Sequence, residues 1–147
     1  MKITILAVGK LKEKYWTEAM AEYVKRLGPF AKVEVKEVPE QRTVEEETQR
    51  LTGALPEHAY VMLLDTQGKE ISSPQLAEKF DKLTVEGVSH LCFVIGGAFG
   101  FTDALRKRAD FCWRFSLLTF THQMIRVILA EQIYRAFKIS RGEKYHW

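Results

Sequence analysis

Strand-like and helix-like stretches alternate along this chain, and that order restricts its fold more than any other feature. Lys2–Val8 is an apolar run of strand length. Glu13–Leu27 carries Tyr15, Ala19, Met20, Tyr23 and Leu27 at spacings of three and four, and stops at Gly28-Pro29. Lys32–Val38 alternates Val33, Val35 and Val38 with charges, as a strand with one wet face does. Thr43-Val44-Glu45-Glu46 is a capping box opening a helix to about Leu55. Tyr60–Leu64 reads as a buried strand that ends in a turn at Asp65-Thr66-Gln67-Gly68-Lys69. Ser73-Pro74 starts a helix to about Leu83. Strand Leu91–Ile95, a short helix from about Thr102 to Ala109, strand Phe111–Phe115 and helix Gln123–Ile139 complete the series. The order βαβαβαβαβα predicts one α/β domain over residues 1–147, with a mostly parallel sheet covered by helices on both faces.

Composition closes off other classes. A hydrophobic fraction of 46% and a charged fraction of 28% are those of a globular protein. No apolar run approaches bilayer length, and the first eight residues are too short for a signal peptide, so no membrane partner is expected. Cys92 and Cys112 sit in apolar strand patterns, as buried reduced thiols of a cytoplasmic protein would. Neither has the neighbouring His or Cys that a zinc site needs, so no metal is expected. The net charge of +3 is unevenly spread: residues 1–100 carry 13 basic against 15 acidic side chains, and residues 101–147 carry 9 against 4. Basic charge gathered in the last third suits a polyanion such as RNA, or simply a solvated face.

Function concentrates in residues 94–137. Strand Leu91–Ile95 runs into Gly96-Gly97-Ala98-Phe99-Gly100, and strand Phe111–Phe115 runs into Ser116, Leu117, Leu118, Thr119, Phe120 and Thr121. Open α/β sheets bind ligands just outside the carboxyl ends of their strands, and glycine lets the main chain approach a ligand closely. Together with the end of Leu64-Asp65-Thr66, these loops predict a backbone-lined small-molecule pocket. The glycines do not form GxGxxG, and no GxxxxGK[ST] is present, so a dinucleotide or nucleoside triphosphate is disfavoured.

The last helix is apolar nearly all round. Ile125, Leu129, Ala130, Ile133, Ala136 and Phe137 share one arc, and Arg126 falls inside it. A guanidinium there needs an anion, a carboxylate or carbonyl groups. Met124, Val127, Ile128 and Tyr134 give the helix a second apolar side, which suits packing against a partner subunit or central burial in one domain. Glu131 and Arg135, four apart, suit a surface pair, and His122 beside Thr121 suits a histidine satisfied by backbone groups at the helix start. The tail Arg141–Trp147 combines cations with Tyr145, His146 and Trp147, a set able to stack on a base and neutralise phosphate, or to pack on the protein itself.

These residues resemble the bacterial 23S ribosomal RNA pseudouridine N3-methyltransferases of the SPOUT superfamily. The match runs from Met1-Lys2-Ile3 to Tyr145-His146. It is most specific in Leu63-Leu64-Asp65, Phe93-Val94-Ile95-Gly96-Gly97, Thr119–Val127, Glu131–Ala136 and Arg141–His146. The resemblance implies an α/β SPOUT fold with a C-terminal deep trefoil knot, one of the few exceptions to the rule against threaded chains. It implies an obligate homodimer, S-adenosylmethionine as methyl donor, and 23S rRNA within the ribosome as substrate. It places the cofactor against Leu64, Asp65, Gly96, Gly97 and Ser116–Thr121. Two departures stand out: Thr121 replaces a frequent proline, and Ala98-Phe99 replaces more polar pairs.

The chemistry asks for alignment of donor and acceptor and for loss of the weakly acidic N3 imide proton. His146 is the tail residue suited to take a proton at neutral pH, with Tyr145 beside it. Arg126 or Arg135 would stabilise the developing anion. Two other readings fit the same loops: a non-catalytic RNA-binding or ribosome-associated factor, and a methyltransferase acting on transfer RNA.

Overall fold

The computed structural model describes residues 1–145, so His146 and Trp147 lie outside the described residues. Five strands, β1 (Lys2–Val8), β2 (Lys32–Val38), β3 (Tyr60–Lys69), β4 (His90–Ile95) and β5 (Phe111–Trp113), alternate with five helices. The helices are α1 (Lys14–Leu27), α2 (Val44–Ala54), α3 (Ser73–Val85), α4 (Asp103–Arg108) and α5 (His122–Ser140). The sheet has the order β2-β1-β4-β3-β5 and every pairing in it is parallel. Side chains on a strand alternate between faces, and here both faces are buried. Ile3, Ile5 and Ala7 of β1, with Leu91, Phe93 and Ile95 of β4, pack in one cluster with Met20, Phe80 and Leu129 from α1, α3 and α5. Leu6, Val8, Cys92 and Val94 belong to a second cluster with Leu51 of α2 and Leu105 of α4. Among the described residues no helix is long and apolar enough to cross a membrane.

Helix starts follow local chemistry. Thr43 caps α2 through the Glu46 N–H, and Thr102 caps α4 through Leu105. The cap of α3 is Ser72 rather than Ser73, because Ser72 and Gln75 exchange reciprocal bonds and leave Ser73-Pro74 inside the first turn. Two strand ends differ from the sequence expectation. β3 does not stop at Leu64 but continues through an irregularity to Lys69, which pairs with Trp113. Gly68 permits this: a Cβ there would lie 2.5 Å from the Cys112 carbonyl, so only a bare backbone can lie so close to β5. β5 is correspondingly short, ending at Trp113 rather than Phe115.

Along α5 the buried positions are Arg126, Leu129, Ala130, Ile133 and Ala136, the face on which it meets the sheet, while α1 and α3 flank it. Arg126 is 1% exposed. Its Nη1 donates to Glu37 Oε2 at 2.5 Å, and its Nη2 donates to the carbonyls of Val8 (3.2 Å) and Gly9 (2.7 Å). Three positions earlier, Gln123 Oε1 accepts from the Lys12 and Glu13 N–H groups at 3.1 and 3.4 Å. It supplies the cap that the start of α1 lacks from its own side chain at Glu13. The first turn of α5 is thus fastened to the turn leaving β1.

Candidate active site

Because all strands run the same way, their carboxyl ends share one pole of the sheet. There Ile95, Leu64 and Trp113, side by side in register, form the floor of a cleft of about 480 Å³. That volume lies within the ordinary range for small-molecule sites. Its sides come from the Gly96–Phe101 loop, the Asp65–Gln67 turn, residues Arg114–Phe120 excepting Leu117, and His122 and Ile125 of α5.

A side chain at either of the two adjoining glycines would crowd what stands behind it. A Cβ on Gly96 would lie 3.0 Å from the Phe101 ring, and one on Gly97 would lie 2.8 Å from Glu47 Oε1 and 3.2 Å from Val8 Cγ1. The Gly100 N–H donates to the Gly97 carbonyl at 3.2 Å and Gly100 takes φ +72°, closing the loop tightly. Gly97 therefore brings main chain to the cleft, and the crowding that demands glycine comes from Glu47 and Val8. Glu47 itself is buried, with Oε2 accepting from the Gln41 N–H at 3.1 Å and Oε1 without a donor among the described residues.

Asp65 is buried in the cleft wall, where Oδ2 accepts from Arg106 Nε at 2.7 Å and Oδ1 from Arg106 Nη2 at 3.4 Å and the Gln67 N–H at 3.1 Å. Arg106 also reaches Asp103 at 3.0 Å. These carboxylates, the Asp65 bond foremost, raise the pKa of a guanidinium that is already always charged. Asp65 thus fixes the turn and the guanidinium beside the cleft. Arg106 was not legible as a site residue. The available signal was an acidic residue at the end of a buried strand, which requires a cation or several donors.

In the second loop, Ser116 Oγ accepts from the Leu118 N–H at 3.0 Å and folds the chain back over the cleft. Ser116, Leu118, Thr119 and Phe120 border the cleft, as expected, but Leu117 and Thr121 do not. Leu117 is 79% exposed, since a loop that curves over a cleft must turn some side chains outward. Thr121 caps α5, accepting from the Met124 N–H at 3.3 Å, which is the task a threonine can perform in place of proline. Trp113 and Phe115, which the loop motifs did not mark, meet edge to face at 4.3 Å and supply apolar wall.

The residues assigned to chemistry are dispersed. Arg126 does not border the cleft, and its carboxylate and carbonyl partners are the kind the sequence required. Arg135 and Glu131 form a half-buried pair at 2.5 Å rather than a surface pair, because Tyr145 covers it. The Arg135 guanidinium lies 4.9 Å from the Tyr145 ring, which also meets Tyr134 edge to face at 5.1 Å. Burial raises the Tyr145 pKa, with Glu131 adding to it. The last described residue of the tail is therefore seated on α5, and the candidate base His146 falls outside the described residues. His122, at the start of α5, is exposed and borders the cleft. Among the described residues no cluster of three His, Cys, Asp or Glu could hold a metal.

A parallel sheet with a cleft at its carboxyl pole defines the α/β class of fold, in which ligand sites commonly lie outside the carboxyl ends of the strands. The more particular assignment follows from the whole sequence: residues 1–146 match the family model described as predicted SPOUT methyltransferase, and the chain belongs to that family. Among solved structures, the chain is similar to a probable methylase family protein from Haemophilus influenzae Rd KW20. The TM-score is 0.56 at 11% identity, over 99% of this chain and 70% of that one, a likeness of fold. It is also similar to the SpoU methyltransferase AviRb from Streptomyces viridochromogenes, with a TM-score of 0.48 at 12% identity over 97% and 62% of the two chains. A TrmH/SpoU tRNA modifying enzyme from A. aeolicus gives 0.49 at 8% identity over 95% and 77%.

Proposed function

We propose that this SPOUT-family chain is an S-adenosylmethionine-dependent RNA methyltransferase, and that its acceptor is N3 of a pseudouridine in 23S rRNA. The observation that carries the cofactor assignment is the cleft itself. Two glycines, behind which a side chain would crowd Phe101, Glu47 and Val8, and the Ser116–Phe120 loop border a space of nucleoside size, floored by Leu64, Ile95 and Trp113. Such a space suits a flat base and a ribose held by backbone groups. Leu64, Gly96, Gly97, Ser116 and Leu118–Phe120 would hold the cofactor, with Asp65 acting through Arg106 and the Thr66–Gln67 turn. When bound, the cofactor supplies a methyl group already activated by its sulfonium.

The chain's own residues then have to position the acceptor and manage one proton. The pseudouridine N3–H must be lost as nitrogen attacks, and His146 is the group assigned to take it. Tyr145 is seated against Tyr134 and Arg135, about 15 Å along α5 from the cleft-lining Ile125, so in this reading the tail serves the cofactor site of the partner subunit across the dimer. The Arg135 guanidinium is paired with Glu131 at 2.5 Å and donates to the Tyr145 carbonyl at 3.5 Å, so its part in this reading is to seat the tail on α5.

The same reading includes a homodimer and a knotted path for the C-terminal segment, as in the family it resembles, and action on rRNA in the cytoplasm. Support for the dimer comes from Leu117, Leu118, Phe120 and Met124, large apolar side chains that stand exposed together at the α5 start. Calorimetry with S-adenosylmethionine, followed by mass spectrometry of 23S rRNA after incubation with labelled cofactor, tests the function. Binding with a methyl on pseudouridine N3 is the expected result, and methyl transfer to tRNA alone would replace the substrate. Light scattering at micromolar concentration should give twice the 17.0 kDa chain mass.

A further inference from the structure

Burying a carboxylate is costly unless donors or a cation meet it, and Glu47 is met on one side only. It is 3% exposed, and Oε2 accepts from the Gln41 N–H at 3.1 Å. Oε1 has no donor, and the side chain has no ion pair, among the described residues. Its seat is well fixed. Glu47 stands in the first turn of α2 with Glu45 and Glu46, where the end of a helix favours negative charge. The next residue, Thr48, donates to Thr102 Oγ1 at 3.2 Å and ties this turn to the cap of α4.

Both oxygens of Glu47 face Gly97. A Cβ on Gly97 would lie 2.8 Å from Oε1 and 3.1 Å from Oε2. Adding one carbon–carbon bond puts Oε1 within about 4.3 Å of the Gly97 Cα. Gly97 borders the cleft, so one bare stretch of main chain separates this carboxylate from it. The other acids at this pole are matched. Asp65 in the cleft wall holds Arg106 at 2.7 Å, and Glu70 holds the cleft-lining Arg114 at 2.5 Å. Glu47 is the buried negative charge beside the cleft that has no cation of its own among the described residues.

We propose that Glu47 is the counter-charge for the sulfonium of S-adenosylmethionine, acting across Gly97, and that it makes the cleft prefer this cofactor to its demethylated product, S-adenosylhomocysteine. The inference rests on the methyltransferase reading above and adds a residue that does not itself line the cleft. The two compounds share adenine, ribose, carboxylate and ammonium, and differ by one methyl group and one positive charge. Transfer leaves the C–S electron pair on sulfur, carries the methyl to the acceptor nitrogen and gives that nitrogen's proton to a base. The product's sulfur is therefore neutral, and Glu47 no longer holds it, which favours release after turnover. The carboxylate's approach to Gly97 plus an ordinary contact on the far side of the main chain makes a separation of about 8 Å. Across a protein wall of intermediate dielectric, two unit charges at that distance attract strongly enough for roughly tenfold in affinity.

Calorimetry with each compound on the full chain tests the proposal. In Glu47→Gln, which keeps the shape and removes the charge, S-adenosylmethionine should bind roughly tenfold more weakly while S-adenosylhomocysteine stays within about twofold of wild type. Glu47→Leu should shift the ratio of the two affinities alike, and it covers the case in which the glutamine variant does not fold. An apolar side chain in place of a buried charge is often neutral or stabilising. Glu45→Gln removes an exposed charge from the same helical turn and should leave both affinities as they are. Equal weakening of both compounds in the Glu47 variants would make Glu47 a prop for the Gly97 loop and overturn the counter-charge. An unchanged ratio, or the same shift in the Glu45 control, would overturn it too. Wild-type protein that binds neither compound would overturn the methyltransferase reading, and this inference with it.

Discussion

Replacing Arg126 by methionine should unfold this protein at a much lower temperature while leaving the cleft-lining residues in place. The side chain is 1% exposed and reaches three acceptors, the Glu37 carboxylate and the Val8 and Gly9 carbonyls. Methionine fills much of the volume but donates nothing. Glu37 is 34% exposed at its side chain and can turn to water, so its loss is the smaller part. The carbonyls close the end of β1 beneath α5, and each buried acceptor left unpaired costs about 1–3 kcal/mol. The two carbonyls together therefore cost about 2–6 kcal/mol. For a chain of this size roughly 3 °C accompanies each kcal/mol, so thermal unfolding followed by circular dichroism should fall by about 10–15 °C. Arg126→Lys keeps the charge but cannot fork to carboxylate and carbonyls together, and should lose about half as much. A methionine variant that melts within about 3 °C of wild type would refute the reasoning. If that stable variant were also inactive, Arg126 would belong to catalysis rather than to the fastening of α5.

Other outcomes follow from the same geometry. Gly97→Val should destabilise the protein and abolish calorimetric cofactor binding; shortening the facing side chain with Glu47→Ala should recover part of both, because the clash is with Glu47. Deleting residues 145–147 should lower the melting temperature by about 6 °C, since among the described residues it removes one cation–π and one ring contact of Tyr145 at about 1 kcal/mol each, while methylation measured by mass spectrometry falls tenfold or more. His90 sits with Nε2 2.8 Å from Thr4 Oγ1, and burial, then Lys2, depresses its pKa. The unfolded chain therefore binds this proton first, so the stabilisation holds above about pH 6.5 and is lost as pH falls. In His90→Asn the acid-side decline of the urea midpoint should be shallower than in wild type.

Fold class and helix positions were legible because local rules decide them. Apolar runs of strand length, spacings of three and four, and caps such as Thr43 and Thr102 act over a few residues. The elements they mark agree with the structure to within one or two residues at most ends, and the departures have nonlocal causes. β3 runs past Leu64 because Gly68 lets its backbone lie against Cys112, forty-odd positions away, and nothing near Gly68 announces that neighbour. The cleft was legible at Gly96-Gly97, Ser116 and Leu118–Phe120, since glycine and hydroxyl residues after a strand have few other uses.

The sequence by itself determined an alternating α/β chain with glycine- and hydroxyl-rich loops at strand ends, and a guanidinium on a buried helix face that had to find acceptors. It could not say which acceptors. Only the tertiary structure decided that Arg126 closes β1 with Glu37, that Arg106 pairs with Asp65 in the cleft wall, and that Tyr145 folds back onto Arg135. It also decided that Leu117 and Thr121 turn away from the cleft their neighbours line. Burial and periodicity are properties of a segment, whereas the partner of a charge depends on which segments the order β2-β1-β4-β3-β5 brings side by side.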